Sequence, residues 1–107
     1  MGGVEAWRQA WSAQDVDGYV SQYGADFEPP RNMSRSQWEN ERRRRLRKPN
    51  RISVKVENPN INIVNDRIAE VTFRQVYRSE KYSDRVRKRL TLHKLNGQWR
   101  IAAETVL

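Results

Sequence analysis

Ile68-Ala69-Glu70-Val71-Thr72-Phe73-Arg74-Gln75-Val76-Tyr77-Arg78-Ser79 decides the fold class. Read at every second residue, it separates into Ala69, Val71, Phe73, Gln75, Tyr77 and Glu70, Thr72, Arg74, Val76, Arg78. Successive side chains along a strand point to opposite faces, so this is a half-buried strand with one apolar and one charged face. Its β-branched and aromatic residues suit a pleated surface. The inward set turns polar at Gln75 and Tyr77, as expected of a strand that starts in a core and ends at the mouth of a cavity.

The flanking segments repeat the pattern. Ile52, Val54 and Val56 alternate with Ser53, Lys55 and Glu57, and Asn58-Pro59-Asn60 is expected to break that run before a short strand over 61–64. Asn65-Asp66 turns into the quoted strand. A further strand is expected over 86–95, with Lys88, Leu90 and Leu92 inward and Arg87, Arg89, Thr91 and His93 outward. Asn96-Gly97 signals a type I′ hairpin into the last strand, 98–106, with Trp99, Ile101 and Ala103 inward.

The first half has helical spacing. Val4, Trp7, Ala10 and Trp11 mark a helix over 4–13. Asp15 can cap a second helix over 16–23, which carries Tyr19, Val20 and Tyr23 on one face and stops at Gly24. Ser34 and Gln37 have capping-box spacing for a third helix, which ends near Arg47 before Pro49. Trp38 and Leu46 define its buried stripe with Arg42 between them, and Glu39–Arg43 and Glu41–Arg45 are spaced for ion pairs. About three helices followed by a meander of four to five strands is an α+β pattern, with helices on one face of an antiparallel sheet.

The chain has 107 residues, enough for one domain with a small core. Met1-Gly2-Gly3 reads as an appended remnant, and 4–107 as a single domain cut from a longer protein, whose targeting signal would lie elsewhere. No apolar run approaches the roughly 20 residues of a membrane span. With no cysteine, disulfides and Cys-based zinc sites are excluded. The net charge is +8, and residues 1–30 contain a single base, Arg8. The basic remainder favours anionic partners: nucleic acid, an acidic wall polymer, a membrane surface or an acidic protein.

The frame Trp7 to Trp11, Asp15-Val16-Asp17-Gly18-Tyr19, Tyr23-Gly24-Ala25-Asp26-Phe27 and Asn96-Gly97-Gln98-Trp99-Arg100-Ile101 resembles the nuclear transport factor 2-like superfamily, including its ketosteroid-isomerase-like and SnoaL-like members. Residues 33–39, 48–54 and 71–79 are similar to the accessory domain of this fold in bacterial L,D-transpeptidase-like and other envelope proteins. The resemblance implies a cone-shaped curved sheet on helices with a pocket at its open end, an accessory role beside a catalytic domain, and a periplasmic or envelope setting.

Catalytic members place an Asp or His on the inward sheet face. Here that face carries no carboxylate, and Glu104 has outward parity unless a bulge re-aims it. Asp26 reads as a loop tie and His93 as an outward residue without a companion. No nucleophile–base pair, phosphate loop or metal-spaced cluster is visible, so no cofactor is expected and a non-catalytic domain is favoured over an isomerase or dehydratase. If the cone forms, Tyr19, Tyr23, Arg42, Gln75, Tyr77 and Lys88 converge at its mouth and suit a ligand with a carboxylate, such as a peptide stem or an acidic sugar. Equally, the tyrosines fit a core and Arg42 a pairing with Asp26 or Glu39. Arg74, Arg78, Arg87, Arg89 and Arg100 share the outward sheet face. That face repels its own copy, which implies a monomer or weak homodimer. It suits an acidic protein better than nucleic acid, because it offers no aromatics for base stacking.

Overall fold

A computed structural model describes residues 2–107. Three helices, α1 (Gly2–Ser12), α2 (Val16–Ser21) and α3 (Arg35–Arg47), precede four strands, β1 (Ile52–Asn65), β2 (Ile68–Ser79), β3 (Ser83–Leu95) and β4 (Gln98–Val106). The strands form one antiparallel sheet in the order β1-β2-β3-β4. The α+β reading and the position of the quoted strand as β2 therefore hold.

Local chemistry sets the helix ends. The Asp15 carboxylate accepts from the Gly18 amide at 3.1 Å and caps α2. At α3 the capping box closes: the Gln37 amide donates to Ser34 Oγ at 3.1 Å, and the Ser34 amide donates to Gln37 Oε1 at 2.9 Å. On α3, Arg45 pairs with Glu41 at 2.8 Å as spaced, whereas Glu39 meets Arg35 at 3.4 Å rather than Arg43.

Several boundaries differ from the sequence reading: α1 is Gly2–Ser12 rather than 4–13, β3 starts at Ser83 rather than 86 because Ser83 already pairs with Arg78, and two further differences shape the fold. Helix α2 stops at Ser21, because Arg35 donates to the carbonyls of Val20, Tyr23 and Gly24 and holds that segment out of the helix. Residues 22–24 instead run parallel to β4, with Gly24 donating to the Ile101 carbonyl and Ile101 to that of Gln22. The expected break at Asn58-Pro59-Asn60 is a bulge inside one long strand. Asn58 takes the left-handed conformation (φ 52°), and the register shifts between Glu57 and Asn60. Asparagine tolerates that conformation, and Pro59 needs no amide partner on an outer strand. The hairpin at Asn96-Gly97 has positive φ at both residues, as type I′ demands.

The core is aromatic. Trp7, Tyr19 and Trp38 are at most 1% exposed and pack with Trp11, Tyr23, Phe27 and Phe73 in mostly tilted and edge-to-face pairs. It fills the space between the helices and the sheet, reaching only the first half of β1. Beyond the bulge, Ile61 and Ile63 stand opposite the buried Val71 and Ala69, yet nothing covers them and they are exposed. Truncation should separate the two regions. Phe73→Ala is expected to lower unfolding free energy by about 3–5 kcal/mol, and Ile61→Ala by no more than about 0.5 kcal/mol, measured by urea denaturation.

Candidate functional site

The site grows from a misfit between β3 and β4. Leu92 pairs with Ile101 but Thr91 pairs with Ala103, so Ala102 is an extra residue on β4. A bulge of this kind exchanges the faces of every residue after it. Ile101 and Ala102 are both buried, Ala103 loses its inward place, and Glu104 turns into the cone. This corrects the inward carboxylate-free face expected from strict alternation.

Glu104 is held from two sides. Lys88 Nζ donates to Oε2 at 2.6 Å, and the Tyr23 hydroxyl donates to Oε1 at 2.7 Å. Tyr23 in turn accepts from Trp7 Nε1 at 3.0 Å and lies 3.0 Å from the Tyr19 hydroxyl. Since the Tyr23 proton goes to Glu104, Tyr19 is the donor in that last contact. Lys88 Nζ also sits over the rings of Trp7 and Trp11, at 5.6 and 5.5 Å from their centroids. Burial pushes the Glu104 carboxyl up, but the charges of Lys88 and Arg42 and the bonds from Lys88 and Tyr23 outweigh it, and the pKa falls below its ordinary value. Burial raises the Tyr19 hydroxyl to about 12, and burial and then the Glu104 charge raise Tyr23 well above its usual range.

Beside this network a cavity of about 590 Å3 opens between α3 and the sheet. Arg42, Gln75, Tyr77 and Lys88 line it together, whereas Tyr19 and Tyr23 lie in the core behind it. Trp11 and Tyr82, not expected at the site, complete an aromatic wall, with Tyr77 at 5.6 Å from Trp11 and 6.1 Å from Tyr82 between ring centroids. Helical spacing assigns Trp11 only to the apolar face of α1, and Tyr82 stands in a polar connection that has no periodicity to mark it.

Two groups on the wall lack partners. Gln75 is 6% exposed, and its Oε1 accepts no hydrogen bond. Arg42 stacks on Trp38 at 5.8 Å, its Nε is buried without an acceptor, and among the described residues no carboxylate lies within 4 Å of it. The expected pairing with Asp26 or Glu39 is not made. Burial draws the Arg42 pKa down, but Tyr19, Glu104 and Tyr23 more than offset it and hold the guanidinium above its ordinary value. The arrangement can bind an anion, with a fixed cation, a buried amide and flat apolar rings.

The remaining candidates lie elsewhere. Asp26 reaches His93 with Oδ2 at 2.7 Å from Nδ1, because residues 22–24 run alongside β4 and bring the loop over the sheet. His93 therefore does have a companion, although the pair is half exposed and well apart from the cavity lining. Arg74, Arg78, Arg87 and Arg89 are exposed on the outward face, and Arg100 sits apart from them, opposite His93 and turned to Gln98 and the Trp99 carbonyl. Among the described residues no cluster of three or more His, Cys, Asp or Glu could hold a metal ion, and no helix is long and apolar enough to cross a membrane.

Comparisons with known proteins give this geometry its setting. Residues 1–105 match the family model described as the Cds6 C-terminal NTF2-like domain. Bd1075 of Bdellovibrio bacteriovorus is similar at 28% identity and a TM-score of 0.85, over 96% of this chain and 37% of its own. The helical cell shape determining protein Pgp2 of Campylobacter jejuni (K307A mutant) shares the fold at 22% identity and a TM-score of 0.85, over 96% of this chain and 38% of its own. An NTF2-like protein of unknown function from Pseudomonas putida also shares the fold, at 14% identity and a TM-score of 0.81, over 98% of this chain and 80% of its own. This chain thus spans little more than a third of Bd1075 and Pgp2. Comparison with curated proteins gives no match.

The Glu104 pairing predicts an acid dependence. A carboxylate whose pKa is depressed on folding adds stability above its unfolded value and loses it as pH falls through the folded one. Wild-type stability should therefore decline below about pH 4.5. Glu104→Gln should remove that component. At neutral pH the variant should be less stable by about 3–5 kcal/mol, because Lys88 is left buried without its counter-charge. Denaturation midpoints across pH check both.

Proposed function

Because the chain belongs to the family of Cds6 C-terminal NTF2-like domains, we propose that it is a non-catalytic binding domain of a bacterial envelope protein, and that its pocket takes a carboxylate-bearing fragment of peptidoglycan. The observation that carries this reading is Arg42, held at the pocket wall on Trp38 with no carboxylate within 4 Å among the described residues. A guanidinium so placed donates paired hydrogen bonds to a carboxylate. Gln75 Oε1 supplies an acceptor for an amide or hydroxyl of the same ligand. Trp11, Tyr77 and Tyr82 give flat apolar area to a sugar ring or a peptide stem. An acidic sugar satisfies the same groups. The likeness to Pgp2, a helical cell shape determining protein, agrees with a wall ligand, since bacterial cell shape is carried by the wall.

The inward turn of Glu104 raises an isomerase or dehydratase as the competing reading. A general base needs a free oxygen within reach of substrate and a pKa near the working pH. Both Glu104 oxygens are occupied, its pKa is lowered, and it is absent from the cavity lining. Binding therefore accounts for the geometry better than proton abstraction.

Isolated peptidoglycan should sediment the domain. Arg42→Ala should weaken that retention by about tenfold or more, as expected for a hydrogen bond to a charged group, while thermal unfolding shows the variant folded. No retention at low salt, or full retention by Arg42→Ala, overturns the reading.

A further inference from the structure

The pocket leaves the other side of the sheet unexplained. There β2 and β3 set arginine directly against arginine: Arg74 is the register partner of Arg87, and both are exposed. Like charges opposite one another in a sheet are destabilising. The array continues in both directions. Lys55 on β1 lies opposite Val76, which lies opposite Arg85, and Arg78 and Arg89 extend the field along β2 and β3. The bases along β3 recur at every second residue, roughly 6.8 Å apart, and neighbouring strands are roughly 4.8 Å apart. Two acids face them. Glu70 approaches Arg89 at 3.9 Å. Glu57 stands opposite Arg74 in register, but among the described residues no carboxylate lies within 4 Å of the Arg74, Arg78, Arg85 or Arg87 guanidinium.

We propose that this face docks on a bilayer rich in anionic phospholipid headgroups. The cations spread over three strands as a two-dimensional field, not along a groove, which matches a plane of phosphates better than one extended strand of nucleic acid. The field carries no exposed aromatic on which bases could stack. Each exposed base adds a similar increment near an anionic membrane, and the attraction decays within a Debye length. Headgroup phosphates also neutralise the Arg74–Arg87 opposition, which the protein alone leaves standing. The surface is independent of the pocket and needs no peptidoglycan.

Sedimentation with phosphatidylcholine vesicles, with and without about 30% phosphatidylglycerol, tests this at about 50 and 300 mM salt. Binding is expected only to the anionic vesicles, and chiefly at the lower salt. Arg74→Glu should reduce it by about tenfold or more with little change in the thermal midpoint, since the new carboxylate gains Arg87 on one side but meets Glu57 on the other. Arg44→Glu on α3 makes the same change in net charge and should leave binding within about twofold, as should Arg42→Ala. Equal binding to neutral vesicles, equal loss from Arg44→Glu and Arg74→Glu, or tighter binding of a single-stranded oligonucleotide than of anionic vesicles overturns the proposal.

Discussion

A lysine and a glutamate taken out of water together set the terms for the rest of this fold. Side chains of Lys88 and Glu104 are 7% and 10% exposed, inside a shell of tryptophan and tyrosine. Neither charge is tolerable there alone, because desolvation costs several kcal/mol per ion. The bulge at Ala102 lets Glu104 reach Lys88 from the neighbouring strand. Tyr23 is drawn to the free carboxylate oxygen, and Trp7 and Tyr19 are drawn to Tyr23. One pair of charges thereby fixes the relative positions of α1, the segment after α2, β3 and β4. Glu104 also fulfils the role of a local counter-ion, so Arg42 can sit nearby in a largely buried position while keeping its hydrogen-bonding groups for something else.

How much of this was legible follows from what each signal depends on. The α3 stripe of Trp38 and Leu46 followed from helical spacing and the Asn96-Gly97 hairpin from turn chemistry, while binary alternation, which depends on burial alone, located β2 and β3. It fails at a single inserted residue. Nothing in Ile101-Ala102-Ala103-Glu104 announces which alanine is the extra one, since alanine suits either face; only the pairing with Leu92 and Thr91 decides. The inward glutamate was invisible for that reason. The His93–Asp26 contact and the early end of α2 share a different cause: both depend on a loop laid against β4 by Arg35, a contact between residues far apart in sequence. Of the pocket, Gln75, Tyr77 and Lys88 could be named because they lie at the polar ends of apolar strand faces, and Arg42 because it interrupts the Trp38–Leu46 stripe. Tyr82 could not, because a connection has no period to place it.

The two sides of the sheet carry opposite electrostatic solutions. On the inner side positive charge is balanced or stacked: Lys88 on Glu104 and two tryptophans, Arg35 and Arg42 on Trp38. On the outer side it is spread and largely unbalanced. A chain of net charge +8 therefore keeps an ordered interior and places its surplus on the outer sheet face and along α3.

The kink at Asn58 has a consequence for how the chain behaves in a crowd. β1 is an outer strand, and its far half exposes Ile61, Ile63 and Val64 in an uncharged stretch. A straight strand of that composition is a template on which further chains could stack into fibrils. Pro59 removes one donor from its edge, and the left-handed Asn58 bends what remains. The same irregularity that ends the core thus acts as a gatekeeper against self-assembly.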